Sequence, residues 1–383
     1  MSTPAPLPKV GSRGSALRST IAASGSTLGL GLLAILVALI LTSPVIIIAG
    51  ASPIDAYANF FLVPLSSQFR LLEVLVAATP LILTGIAVAV AFRGGYWNIG
   101  AEGQLLLGAI AATGVGISIP ADWPPIVVVP LMILAGALAG AAWALVPALL
   151  RTRLGIDEVV TTLLLNPVAL LFVKALVQGP WRDPGGITES PPIVEAGHLP
   201  QLMDKSRLHL GFLLALVLLV IAWWVLSRTG IGLRIRAVGL APHAARFAGI
   251  RVERTLLGVA LASGAIAGIA GVSEVAGIQF RLTSGISAGY GYTGIVVAML
   301  GGLSMPGVLL SALFLGDLRV GTNKAESALD IPSQIGAVVQ GVILLCVVGL
   351  LAIRRWRISR SDRPADEAEP PAEDERHLEN APA

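Results

Sequence analysis

Residues 71–92 read LLEVLVAATPLILTGIAVAVAF, a stretch whose single charge is Glu73. A helix needs about 20 mostly apolar residues to cross a bilayer's hydrocarbon core, so this run is long enough to span it. Working outward, comparable runs lie near 28–48, 104–118, 125–150, 159–177, 210–227, 255–275, 292–302, 307–320 and 335–353. The expected fold is therefore all-α and polytopic, with about ten transmembrane helices. Runs 104–118 and 292–302 are shorter than a full span and read as tilted, broken or re-entrant helices. A transmembrane barrel would instead show segments of roughly ten alternating residues.

Composition agrees. Of 383 residues, 55% are hydrophobic and 13% charged, and the mean hydropathy is +0.82. Soluble domains carry about 25% charged residues, and disordered chains are poor in hydrophobic ones. Both classes are excluded for the bulk of the chain. The single cysteine, Cys346, rules out an intrachain disulfide and a cysteine metal cluster. Four scattered histidines suggest no metal site. Arginine far outnumbers lysine, which reads as compositional bias rather than nucleic-acid binding.

Three regions follow. Residues 1–26 are a polar N-terminal extension, 27–353 the transmembrane domain, and 354–383 a basic then acidic, disordered tail. The first apolar run exceeds a signal-peptide core of about 7–15 residues and reads as a retained helix. With the N-terminus inside, 18 of the 26 basic residues fall on inner segments, six of them in 228–254. By the positive-inside rule both termini are cytoplasmic. Trp97, Trp123, Trp181 and Trp356 mark run edges. The long outer loop, about 178–209, is proline-rich and irregular. Gly136-xxx-Gly140 and Gly264-xxx-Gly268 are close-packing signatures. Thr84-Gly85-Ile86 with Val88-Ala89 is echoed by Thr293-Gly294-Ile295 with Val297-Ala298.

No GxxxxGK[ST] loop, His-Glu-x-x-His pattern or G-x-S-x-G elbow is present, so neither nucleotide hydrolysis nor intramembrane catalysis is expected of this chain. Arg93–Gln104 (RGGYWNIGAEGQ) holds four glycines with Asn98, Glu102 and Gln104. It reads either as a broken helix beside a translocation path or as a turn at the membrane surface. Thr161–Pro167 places Asn166 beside a kink-forming proline, again a path contact or a local repair. Glu73, Glu274 and Asp317 lie in or at the edges of apolar runs, as path or interfacial groups. In the basic stretch 228–254, Pro242 can open a short helix and Gly249 close it. That helix either docks on a cytoplasmic partner, through the small and apolar residues Ala245, Phe247 and Ala248, or is an ordinary inner loop.

In this order, the stretches resemble a known family. Asn98–Gln104 is similar to the most characteristic motif of permease subunits of nucleoside-type ABC importers, part of the larger group serving ribose and branched-chain amino acids. Leu165-Asn166 with Gly179–Pro184, Leu233–Gly239 with Ala244–Ile250, and Gly289–Ile295 with Gly301-Gly302 resemble its later blocks. The resemblance runs from about residue 28 to 353. It departs at Pro167, where a bulky residue is expected, and in the acidic tail.

The resemblance implies an ABC importer permease fold in a bacterial cytoplasmic membrane, multi-pass, in contact with the lipid bilayer. It implies a second permease, a cytoplasmic ATPase with two nucleotide-binding domains, and an extracytoplasmic substrate-binding lipoprotein, with no nucleic-acid partner. The chain would be a transport subunit rather than an enzyme, holding no cofactor or metal, while ATP is used by the partner. Asn98, Glu102, Gln104, Asn166 and Glu274 are the expected path residues. Arg234, Arg236, Gly239, Ala244, Ala245, Arg246 and Gly249 are the expected ATPase-coupling residues. The alternatives are a proton- or sodium-coupled transporter using Glu102, Glu274 or Asp317, and an ABC permease for a sugar or related ligand.

Overall fold

The computed structural model describes residues 33–332 and 334–361. The N-terminal extension and the acidic part of the tail lie outside these residues. Among the described residues the chain is helical and contains no strand; two isolated bridges, Glu189 to Thr283 and Gln201 to His209, are its β-like pairings. In chain order the helices are α1 (Leu33–Ile48), α2 (Pro53–Phe61), α3 (Gln68–Arg93), α4 (Ala101–Ser118), α5 (Pro125–Leu154), α6 (Glu158–Gln178) and α7 (Leu210–Arg228). They continue as α8 (Gly230–Leu240), α9 (Pro242–Phe247), α10 (Val252–Glu274), α11 (Tyr290–Leu300), α12 (Met305–Leu329) and α13 (Gln334–Ser361). Residues 42–340 form one compact unit, and everything below concerns it; the described stretches 33–41 and 341–361 belong to a second unit.

Within the described residues, each apolar run coincides with a helix to within a few residues. Seven helices are long and apolar enough to cross a membrane, or eight if the bent pair Leu33–Ile48 and Pro53–Leu65 counts as one span. Run 104–118 is completed by three polar or small residues and becomes the full-length α4. Run 292–302 stays short, as the 11-residue α11. α13 runs to Ser361 and so includes the basic stretch 354–361.

Local signals set the boundaries. Ser67 caps α3 by accepting from the Arg70 N–H, and Asp157 caps α6 by accepting from Val159 N–H at 2.7 Å. Gly155 ends α5 in the left-handed conformation at φ +68°. α10 loosens into a π-turn over Val275–Gln279. The 179–209 segment is irregular as expected but anchored: Ser190 and Ile193 donate backbone hydrogen bonds to Leu282 and Phe280, Val194 to Gly116, and Leu199 to Ala276.

The packing centre is where α4, α5 and α10 meet. A Cβ on Gly140 would fall against the Gly264 carbonyl, and one on Gly264 would stand 2.5 Å from the Gly140 carbonyl oxygen. Gly268 opposes Gly136 in the same way, and Gly108 of α4 abuts Gly268 from the third side. The two GxxxG pairs are thus halves of one contact. The echoed segments also meet: Gly85 packs on Val297, Gly294 on Thr84, and the Thr84 hydroxyl lies 3.1 Å from the Tyr290 carbonyl. α3 is buried along nearly its whole length, whereas α5, α6 and α7 leave most of their apolar surface exposed, as lipid-facing helices do.

A Cβ on Gly268 would first meet the backbone of Gly136 and Gly140, so no side-chain rotation can relieve a substitution there. Gly268→Val should cost about 1–3 kcal/mol or more and lower the melting temperature of detergent-extracted protein. Gly258→Ala on the same helix, where a Cβ meets open space, should leave it unchanged. Equal melting of the two variants would refute the shared contact.

Candidate functional site

The turn between α3 and α4 is built from the motif Asn98–Gln104. Gly95 adopts φ +76°, and its Cα faces Gly239 of α8 closely enough that a Cβ would stand 3.1 Å from the Gly239 Cα. Asn98 is fully buried. Its Nδ2 donates to Gln104 Oε1 at 2.9 Å and to Ser263 Oγ at 2.9 Å; its Oδ1 accepts from Gly100 N–H at 2.9 Å and Gln104 Nε2 at 3.1 Å. An asparagine amide has two donors and an acceptor oxygen with two lone pairs, so every valence is used inside the protein. Ser263 passes its own proton to the Ala87 carbonyl at 2.7 Å, tying α10 to α3.

α6 holds the turn from the other side. Glu158, Thr162 and Asn166 recur every four residues and therefore share one face. Glu158 accepts from Trp97 N–H at 3.3 Å and pairs with Arg151 at 2.9 Å. The Thr162 hydroxyl accepts from Ile99 N–H at 3.2 Å. Asn166 accepts from Gly103 N–H at 2.9 Å and donates to the Ile99 carbonyl at 3.0 Å. Both hydrogen bonds of Asn166 thus go to the 99–103 turn rather than to the backbone around Pro167. Glu158 escaped the sequence reading, although its polar spacing with Thr162 and Asn166 was the available signal.

Glu102 caps a helix, but not its own. Its Oε2 accepts from Gly291 N–H at 2.7 Å, placing a carboxylate on the first turn of α11. Four of the five expected path residues, Asn98, Glu102, Gln104 and Asn166, are therefore bonded within the frame and line neither of the two cavities described here.

Glu274 is the exception. It lines a cavity of about 740 Å³ together with Glu73, Arg207, Tyr290, Arg319 and Asn323. The cavity sits between the start of α3, the end of α10 and the middle of α12, at the end of the helices away from α8 and α9. Glu274 is 4% exposed and makes no hydrogen bond or ion pair with a described residue. Glu73 pairs with Arg207 across the same cavity. The Arg319 guanidinium stacks 4.4 Å above the Tyr290 ring. Asp317 is buried one turn from the cavity-lining Arg319 and Val320 but does not line the cavity itself.

At the opposite end, α8 and α9 form a compact corner. Gly249, at φ +81°, follows α9 as expected. Ala245 is buried with Val238 and Val252, filling the angle between α8, α9 and α10. Gly239 is likewise turned inward, since a Cβ there would collide with the Arg93 carbonyl. Arg236 donates to the Leu226 carbonyl at 2.7 Å, and Arg246 pairs with Glu253. The open face carries Leu240 at 86% exposure and Phe247 at 95%, with Arg234, His243 and Ala244 also exposed.

The described residues thus form a helical frame, apolar enough to span a membrane, with a polar cavity at one end and a helical corner at the other. The chain belongs to the family of branched-chain amino acid transport system permease components, whose family model matches residues 70–348. It is 36% identical to the glucose ABC transporter permease protein TsgB13 of Haloferax volcanii, over 88% of this chain and 93% of that protein. It is 35% identical to the guanosine ABC transporter permease protein NupP of Bacillus subtilis, over 84% and 93%. It is 33% identical to the nucleoside ABC transporter permease protein NupB of Lactococcus lactis, over 82% and 89%. The chain is thus an ABC transporter permease, a transport component rather than an enzyme.

Removing either amide should act on the frame. Asn98→Ala and Asn166→Ala each strand buried partners, at about 1–3 kcal/mol. The measurement is thermal unfolding set against substrate ranking in uptake assays: stability should fall while the ranking among solutes stays the same. A changed ranking at unchanged stability would return Asn98 or Asn166 to the path.

Proposed function

We propose that this chain is a nucleoside-importing permease subunit of a bacterial cytoplasmic-membrane ABC importer. The observation that carries the reading is the cavity around Glu274. A nucleoside is neutral and polar, so crossing about 30 Å of hydrocarbon unaided is costly. The cavity offers an acceptor in Glu274, donors in Arg319 and Asn323, and an aromatic ring in Tyr290. Hydroxyls and base edges need both kinds of partner. The similarity to guanosine and nucleoside permeases over more than four-fifths of the chain points the same way. A sugar is the second reading, favoured by the glucose permease relative, and a polyol would use the same polar groups.

In this reading a second permease completes the path, and a binding lipoprotein delivers solute at the Glu274 end. A cytoplasmic ATPase with two nucleotide-binding domains docks on the α8–α9 corner, where the basic residues concentrate. Both termini are then cytoplasmic. ATP moves the path between its two openings only by binding those states unequally. Coupling rests on Phe247, Leu240, Ala244 and Arg234 at the surface, while Ala245, Gly239, Arg236, Arg246 and Gly249 shape the corner.

Uptake of labelled guanosine, with glucose and ribose as competitors, tests the solute class in cells expressing the chain with its neighbouring transport genes. Unlabelled nucleosides should compete at least tenfold better than either sugar, and Glu274→Ala should reduce uptake at least tenfold with the protein still in the membrane. Competition by glucose alone would select the sugar reading, and full uptake by Glu274→Ala would remove the cavity from the path.

A cysteine at Phe247, in a Cys346→Ser background, tests orientation and coupling together. An impermeant thiol reagent should label it in inverted vesicles but not in whole cells, and bound ATPase should protect it. Labelling from outside would reverse the topology; labelling undiminished by the ATPase would move the docking surface elsewhere.

A further inference from the structure

A second cavity, of about 760 Å³, opens between α7, α8 and α10. Its wall is aliphatic, including Leu218, Ile221, Val225, Val259, Ala262 and Ile266. Its polar lining is confined to the α8–α9 end, where Arg234, Arg251 and Arg254 stand with Thr255. No acidic residue lines it. None of the three arginines makes an ion pair with a described residue, and all three are exposed; the nearby Glu253 is engaged by Arg246. Arg251 immediately precedes α10 and Arg254 lies in its first turn, so the positive end of that helix adds to the field.

The groove's depth fits one leaflet. Leu218 lies ten residues before the end of α7, and Ile266 fourteen after the start of α10. At a rise of 1.5 Å per residue these are depths of about 15 and about 21 Å. One leaflet is about 15 Å of hydrocarbon, or about 20–22 Å with its headgroup region. A nucleoside would find no polar partner below the rim. The faces of Leu240 and Phe247, open for a protein partner, are not part of the groove.

We propose that this groove is a binding site for an anionic phospholipid, with the phosphate held by Arg234, Arg251 and Arg254 and an acyl chain laid between α7 and α10. Basic pockets between membrane helices recognise anionic headgroups in this way. Because the lining joins α7, α8 and the Gly249–Arg251 link to α10, a bound lipid braces the corner that carries Phe247. The site is independent of the solute the transporter carries.

Native mass spectrometry of the full-length protein, after exchange into mixed micelles of phosphatidylglycerol and phosphatidylcholine, tests this. Wild type should retain phosphatidylglycerol at least fivefold over phosphatidylcholine. The triple variant Arg234→Gln, Arg251→Gln, Arg254→Gln should lose that preference, and the corresponding triple lysine variant should keep at least half of it. Ala262→Phe, which fills the groove without touching charge, should lower phosphatidylglycerol retention at least threefold. Arg153→Gln, at the same end of the helices but outside the groove, should behave as wild type. Equal retention of the two lipids by wild type overturns the proposal, as does full preference in the triple glutamine variant. So does undiminished retention in Ala262→Phe, or displacement of the lipid by an equal concentration of inorganic phosphate, which would reduce the site to an anion contact. Should the triple glutamine variant fail to fold, Ala262→Phe and the triple lysine variant decide the matter.

Discussion

The contact on which this structure depends is the mutual approach of α4, α5 and α10 through Gly108, Gly136, Gly140, Gly264 and Gly268. Water supplies little drive for helix association inside a bilayer, because lipid tails are as apolar as leucine. Close van der Waals packing must do much of that work, and it is greatest where side chains are absent. Each GxxxG pair presents a flat strip of backbone, and the strips lie against each other with the third helix wedged onto Gly268. α10 is thereby held along its middle, leaving its two ends to serve different purposes.

Hydrogen bonds finish what the glycines begin. The 94–100 turn carries backbone groups buried inside the protein, and an unpaired group there is costly. The stripe Glu158, Thr162, Asn166 on α6 meets them one turn at a time, while Asn98 and Gln104 exchange amide hydrogen bonds and reach Ser263. Polar residues that resemble a transport path in sequence thus serve as a lock among α3, α4, α6 and α10. A fully satisfied buried network of this kind is rigid.

The two ends of α10 differ in chemistry because their charges differ. At one end Glu274, which makes no ion pair with a described residue, lines a cavity with Glu73, Arg207, Arg319 and Tyr290. At the other, arginines stand at the rim of an aliphatic groove and beside the α8–α9 corner, where exposed Phe247 and Leu240 offer apolar area to a partner. A single helix therefore connects the proposed solute site with the proposed docking site, and the glycine contact lies between them.

What the sequence determined by itself is what local periodicity and composition encode. Long apolar runs required membrane helices, because length and hydropathy act residue by residue. Pro242 and Gly249 marked helix ends, because caps act within one turn. The GxxxG pairs announced close packing, and the motif blocks announced the family. Partner choice was decided by the tertiary structure alone. Asn98 and Asn166 carry the same amide whether they face solute or backbone, and only the arrival of Gln104, Ser263 and the Ile99–Gly103 turn fills their valences. Glu102 lies in the first turn of its own helix, α4, yet caps α11, 189 residues away, because Gly291 has no side chain to hold the two helix starts apart. Ala245 reads as a small docking residue, but it turns inward because Val238 and Val252 form the angle it fills. Periodicity tells which residues share a face; which face finds hydrocarbon, a hydrogen-bond partner or a cavity is settled only when helices distant in sequence pack together.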